Sequence, residues 1–538
     1  MVRRFTQFFT ALLFLQCSQT QENMETDICI YGGTSAGVIA AVAAKRMGKS
    51  VLLIEPGKHL GGMTAGGLGQ TDIGNKHAIT GLSRDFYKRI GQHYGQGEQW
   101  IFEPHVAEKV YGDYVREEQI EVLFEHRIVS AKKDGAQVER IVLEDAAKKT
   151  DPQTVIKAKV FIDCSYEGDL MARTGISYAI GRESNAVYNE TYNGVQMREK
   201  HQFPDGVDPY KTKGDSASGL IWGVSAAQLQ DAGSGDENIQ AYNFRICLTD
   251  SAENRISLSR PENYDSTKYE LLARLIAAQA DGSYRPGYYV PGDDDENSLD
   301  RYFHLQDMPN RKTDINNNGA FSTDMIGWSS DYPEASYDTR AEIIKEHEDY
   351  TKGFLYFLAN DARVPENIRT EMQKWGYPKD EFVDNGNFSH QLYVREARRM
   401  IGEYVMTQAN CTGETTVSDA VGMAAYTMDS HNCQRLVVDG MVKNEGDVQI
   451  GGFPPYPISY RALTPKREEA ENVLVPVCLS ASHIAFGSIR MEPVFMVLGQ
   501  SAAMAASLAI DRNSSVQEID VEKLQKILAN DPILTEQK

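Results

Sequence analysis

The chain is short of positive charge. Its 538 residues carry 55 Lys and Arg against 76 Asp and Glu, a formal net charge of −21. That balance argues against nucleic acid as a partner and against an electrostatic grip on anionic lipid. Cysteine is sparse as well. The seven cysteines show no C-x-x-C spacing, so neither a structural zinc nor a cysteine-ligated iron–sulfur cluster is expected, and no metal is assigned. Cys29 and Cys164 fall in apparent core strands and read as packed thiols. Cys411 and Cys433 could pair in an oxidising compartment. The sequence also lacks internal repeats, low-complexity tracts and any second glycine fingerprint. What remains is a soluble chain, 41% hydrophobic, long enough for two or more domains.

The organising stretch is Thr26 to Met63. A short apolar strand, Asp27 to Tyr31, runs into Gly32-Gly33-Thr34-Ser35-Ala36-Gly37. An Ala-rich helix follows to about Gly48, and a second strand, Ser50 to Ile54, ends on Glu55. This is the strand, glycine turn, helix, strand and acid of a dinucleotide-binding unit. Gly32 permits the tight turn, and Gly37 lets the helix approach the sheet. The N–H groups near Ser35 and Ala36 face a pyrophosphate at the positive end of the helix dipole. Glu55 is placed to accept hydrogen bonds from ribose hydroxyls. One letter departs from the pattern: Thr34 stands where a second glycine is usual.

The N-terminus reads as a targeting segment. Arg3 and Arg4 precede the apolar run Phe8 to Leu15, which is too short for a permanent span. Cys17 after Leu13-Phe14-Leu15-Gln16 looks like a lipoprotein cleavage site, with ordinary signal-peptide cleavage as the alternative.

After Glu55 comes a glycine-dense run: Pro56, Gly57, Gly61, Gly62, Met63 and on to Gly69. Glycine adds no stability, so such density suits backbone passing close to a flat ligand. Between about Ile120 and Ile162, alternating segments read as strands of a meander, with Ile128 or Val129 near an adenine. The returning strand ends in Asp163-Cys164-Ser165-Tyr166-Glu167-Gly168-Asp169. Acids at a strand's carboxyl end suit ribose or ribityl hydroxyls.

From about 184 to 461 the chain turns polar and aromatic, which we read as an inserted substrate domain. Arg395, Arg398 and Arg399 are expected on a helix, with Arg395 and Arg399 on one face. There one of them binds an anionic substrate group or the reduced flavin, or the set pairs with Glu396 or Glu403. His431 is a candidate proton acceptor or a structural histidine. Val473 to Cys478 reads as a buried strand. Ser482, His483, Arg490 and Met491 then lead into a helix through Ala509 with Pro493 in its first turn. Gly499 and its small neighbours suit close internal packing rather than a membrane span. The remainder, 513–538, reads as a short surface helix and tail.

Together, these motifs resemble those of exported bacterial FAD-dependent oxidoreductases, within the two-part superfamily of glutathione reductase and succinate dehydrogenase. The resemblance implies an α/β fold: a Rossmann-like FAD-binding domain with a β-meander (25–183 and 462–512) and an inserted α+β substrate domain. It implies FAD as cofactor and places Arg490 and Met491 nearest the flavin. The expected activity is oxidation of a hydroxyl- or amine-bearing small molecule or saccharide, with His483 or His431 as base and Arg395 or Arg490 in support. A polysaccharide lyase or a surface glycan-binding lipoprotein is the alternative. The expected location is the periplasm or cell surface. The sequence names neither substrate nor electron acceptor.

Overall fold

The computed structural model describes residues 23–148, 154–280 and 299–530. The targeting segment with Cys17 lies outside them.

Six strands of the main sheet come from the first third of the chain. They are β1 (Asn23–Tyr31), β2 (Val51–Glu55), β3 (Glu121–Phe124), β4 (His126–Asp134), β5 (Gln137–Asp145) and β6 (Thr154–Asp163). Their order is β3-β2-β1-β6-β5-β4. The first four run parallel, and β4, β5 and β6 form an antiparallel meander. The far edge of β6 is shared. Its start pairs with β5, while Phe161 and Ile162 pair with the short strand Val473–Leu474. The expected strand to Cys478 is therefore only two residues long. The segment beyond it is irregular but stays buried.

The apolar runs explain this layering. Ile28 and Ile30 face one core, and Cys29 and Tyr31 face another. Strands buried on both faces need no polar alternation. Helix α1 (Ser35–Arg46) covers the first face. Against it lies the helix Glu492–Arg512, 94% buried over its most apolar window. A methyl on Gly499 would sit 2.4 Å from the Ala36 carbonyl oxygen, so the two helices meet without room for a side chain.

The middle of the chain forms a five-stranded antiparallel sheet from Ile246–Thr249, Arg255–Ser257, Phe303–Met308, Lys312–Asn317 and Gly376–Pro378. The helix Tyr337–Asn360 belongs to the same part. One apolar core runs through both parts, joining Met63 and Tyr111 to Tyr242, Phe244 and Phe354.

Two expectations are corrected. Arg395 and Arg398 are not helical. Tyr393 bridges to Asn243, and Arg399–Met400 is a strand paired with Tyr178–Ala179. No helical face joins Arg395 to Arg399. Cys411 and Cys433 are separate buried thiols.

Candidate cofactor site and buried polar cluster

Register sets the site. Tyr31 lies opposite both Ile54 and Asp163, so the carboxyl ends of β1, β2 and β6 are flush. The glycine turn, Glu55 and Cys164 therefore meet at one edge. Gly32 has φ +99°, and a Cβ there would stand 2.7 Å from the Cys164 carbonyl carbon. A Cβ on Gly37 would stand 1.9 Å from the Gly32 carbonyl oxygen. Both positions require glycine for close approach.

Thr34 has an extended backbone, φ −64°, so glycine is not needed there. Its hydroxyl donates to the Cys164 carbonyl at 2.8 Å and caps α1 by accepting from Gly37 N–H at 3.3 Å. The threonine thus ties turn, helix and β6 together. It leaves the N–H groups of Ser35 and Ala36 at a helix start, where no intrahelical acceptor exists.

Glu55 turns back onto this loop. One carboxylate oxygen accepts from Gly33 N–H at 2.7 Å and the other from Gly57 N–H at 2.5 Å. Burial pushes its carboxyl up to about 7 against those two hydrogen bonds. Pro56 is half-buried beside it. Gly61 donates to the Gly33 carbonyl at 2.8 Å, and a Cβ on Gly62 would stand 2.2 Å from the Tyr166 hydroxyl. Met63 N–H donates to that same hydroxyl at 2.9 Å.

The structure adds a residue that the sequence did not single out. Glu492 opens the terminal core helix and is 4% exposed. One of its oxygens accepts from Ser35 at 2.5 Å and Thr64 at 3.0 Å, and the other from Tyr166 at 2.7 Å. A single carboxyl group therefore links the glycine turn, the glycine run, the return turn and the terminal helix. Burial raises its pKa against those three hydroxyls. Its only signal in the sequence was an acid at a helix start.

Other expected ligand residues are engaged with protein. Asp163 accepts from Ser165 N–H and hydroxyl and from Met171 N–H, so it shapes the return turn. Asp169 is paired with Arg340 and Arg398. Glu167 accepts from Tyr332 at 3.0 Å. Both backbone polar groups of Ile128 are taken, by the hydroxyls of Tyr31 and Tyr337, and Val129 lies in a β-bulge. Ser482 caps the helix His483–Ile489 and donates to Glu190 at 2.6 Å. Met491 caps the terminal helix at its buried start.

All four expected catalytic residues meet in one buried polar cluster. His431 Nδ1 lies 2.7 Å from Asp324, and its Nε2 lies 3.4 Å from Asp429. Burial alone would lower the imidazole pKa, but the two carboxylates carry it above its usual value. Arg490 donates to Asp429 at 2.7 Å, to Tyr393 OH at 3.2 Å and to Gln240 at 3.2 Å. Arg395 pairs with Asp324 at 3.1 Å and lies over the Tyr393 ring, 4.7 Å from its centre. Gln240 joins this group to His483, since its amide donates to Glu396 at 2.7 Å. His483 has both ring nitrogens engaged, Nδ1 with Glu396 at 2.8 Å and Nε2 with Ser430 at 3.1 Å. Burial would raise Glu396, but the charges of His483 and Arg399 bring it down to about 2. Asp429 and Tyr393 each lie two residues before a marked residue, His431 and Arg395. Asp324 carried no local signal.

Among the described residues, Glu103, His105 and Glu381 have the convergence of a metal site. The Lys312 ammonium already lies 2.7 Å from Glu103 and 2.6 Å from Glu381 and supplies the positive charge there.

The glycines, the helix start and the carboxylate of Glu55 fit a dinucleotide. The solved structures it resembles include the flavin-dependent brominase Bmp2, at 16% identity over 30% of this chain and 42% of that one, TM-score 0.24. A flavoprotein/dehydrogenase from Cytophaga hutchinsonii aligns at 16% identity over 28% and 42%, TM-score 0.22. The anhydrotetracycline hydroxylase OxyS from Streptomyces rimosus aligns at 11% identity over 38% and 43%, TM-score 0.24. The chain spans less than half the length of each of these. No curated protein matches it significantly. The family of FAD dependent oxidoreductases matches residues 27–528, nearly the whole chain, and the protein belongs to that family.

Proposed function

We propose that the protein oxidises a hydroxyl- or amine-bearing small molecule or saccharide, with His431 as the group that takes the proton. Ser35 and Ala36 N–H would hold the FAD pyrophosphate and Glu55 the ribose. When bound, FAD supplies a two-electron acceptor. The observation that carries the reading is the placing of His431 between Asp324 and Asp429, joined through Asp429 to Arg490. Two carboxylates stabilise the imidazolium formed when His431 receives a proton, which favours its use as a general base. Nε2 has the looser carboxylate contact of the two nitrogens and is the one assigned to the exchange. His483, engaged on both sides, positions Glu396 and Gln240.

The test is anaerobic bleaching of the flavin by sugars, alcohols and amines across pH. The imidazole must be neutral to accept a proton. The rate should therefore fall as pH drops through a value above 6.5, the ordinary imidazole pKa. His431→Asn should remove that limb and slow the reaction on the order of 10²-fold or more. An unchanged profile in His431→Asn would assign the base elsewhere.

Export with a lipid anchor at Cys17 belongs to the same proposal. It is supported by Arg3, Arg4, the apolar run Phe8 to Leu15 and the polar residues that follow.

A further inference from the structure

Three buried arginines in the polar cluster are short of acceptors. Arg245, Arg395 and Arg490 are each at most 3% exposed. Arg245 Nη1, Arg395 Nε and Nη2 and Arg490 Nε have no hydrogen-bond acceptor among the described residues. Arg395 Nη2 has its 3.1 Å ion pair with Asp324, whose Oδ1 is likewise without a well-aligned bond, so these two partly answer each other. Arg245 Nη1 is 3.7 Å from Asp72. Two further acceptors without a partner are Asn243 Oδ1 and Asp447 Oδ2, the latter close enough to Asp429 and His431 to feel their charges. Buried guanidinium N–H groups without acceptors are costly, and each orphan asks for an explanation.

Their arrangement supplies one. Arg395 and Arg490 lie 4.7 and 5.9 Å from the centre of the same Tyr393 ring. Arg490 also donates to the Tyr393 hydroxyl. Asn243, two residues before Arg245, bridges to Tyr393 through the backbone. Like charges gathered around one aromatic ring repel, and Arg395 feels both burial and the Arg490 charge. Asp324, Asp429, Asp314 and Asp72 already balance the three arginines and His431. The unmet need of the site is therefore for hydrogen-bond acceptors facing the guanidinium N–H groups rather than for net charge. The cluster is not sealed, because the Asp72 and Asp429 side chains are 27% and 14% exposed.

We infer that the substrate carries a carboxylate, bound at Tyr393 by Arg395 and Arg490 with Arg245 behind them. A planar carboxylate accepts two or more N–H groups at once and matches the guanidinium fork. This rests on the proposed oxidation and narrows its substrate class to hydroxy or amino acids and acidic sugars.

The test uses the flavin-loaded protein and two probes of one shape, acetate and acetamide, at constant ionic strength. Calorimetry and the flavin difference spectrum report binding. Acetate should saturate and should bind at least tenfold more tightly than acetamide. Arg395→Gln should weaken acetate at least tenfold while flavin content is unchanged. The comparison of the two probes on the unmodified protein stands even if that variant fails to fold. Equal binding of acetate and acetamide, or no saturable acetate binding, overturns the inference. Bleaching of the flavin by neutral alcohols or sugars but not by hydroxy acids, amino acids or uronates overturns it too, while leaving the proposed oxidation intact. A flavin that no reductant substrate bleaches would instead remove the proposed oxidation itself.

Discussion

Glu55 offers the sharpest test of the cofactor site, because its charge and its geometry make separate predictions. Its two oxygens hold the N–H groups of Gly33 and Gly57, and burial lifts its carboxyl to about 7. Ribose hydroxyls donate to the ionised form, so binding FAD lowers that pKa. The sign follows from linkage. Below about 7 the free protein holds a proton that binding must expel, so affinity falls as pH drops, by at most tenfold per pH unit for one proton. Above about 7 the affinity is flat. Glu55→Gln keeps the shape but loses the charge and one acceptor. A hydrogen bond to a charged group contributes about 1.5–3 kcal/mol, and each 1.4 kcal/mol is about tenfold in affinity. The variant should bind FAD about 10- to 100-fold more weakly at pH 8. Its affinity should not change between pH 5.5 and 8. Quenching of FAD fluorescence during titration of the apoprotein measures both quantities. If wild type and Glu55→Gln share one pH profile, Glu55 does not hold the ribose, whatever the difference in affinity.

Two further outcomes follow from the structure and a third from the sequence. Glu492→Gln removes a carboxylate shared by Ser35, Thr64 and Tyr166. It should cost about 1–3 kcal/mol of stability and weaken FAD more than it lowers the apoprotein's melting temperature, measured by paired thermal scans with and without FAD. Gly499→Ala puts a methyl 2.4 Å from the Ala36 carbonyl oxygen. It should destabilise by about 1–3 kcal/mol and weaken FAD by shifting the α1 N-terminus, whereas a neutral result would mean that the two helices can slide apart. Cys17→Ser should move the protein from the membrane to the soluble fraction with its flavin retained. A mature N-terminus downstream of an unmodified Cys17, read by intact mass, would defeat the anchor.

Much of the cofactor half was legible in the sequence because its chemistry is local. The turn Gly32–Gly37, the strand that ends on Glu55 and the helix opened by Glu492 are each specified by neighbours within a few residues. A backbone that must take φ +99°, or pass 1.9 Å from where a Cβ would lie, can only be written as glycine, and glycine is visible in a sequence. Even Thr34, the departure from the pattern, becomes intelligible as a cap whose partner, Cys164, is 130 residues away. The polar cluster was only half legible. His431, Arg395 and Arg490 could be marked as reactive types, but the assumed helix around Arg395 was wrong. The non-helical path from Tyr393 to Met400 is fixed at its two ends by pairing with Asn243 and with Tyr178–Ala179, contacts that no local periodicity encodes. Asp324 is invisible in sequence for the same reason. It meets His431 across 107 residues and Arg395 from beyond the helix Tyr337–Asn360. The sequence determined the residues that a backbone conformation demands. The tertiary structure alone decided which charges face each other, because a buried carboxylate and a buried guanidinium are placed by folding segments distant in the chain, and the energy of their pairing depends on distance and burial rather than on spacing.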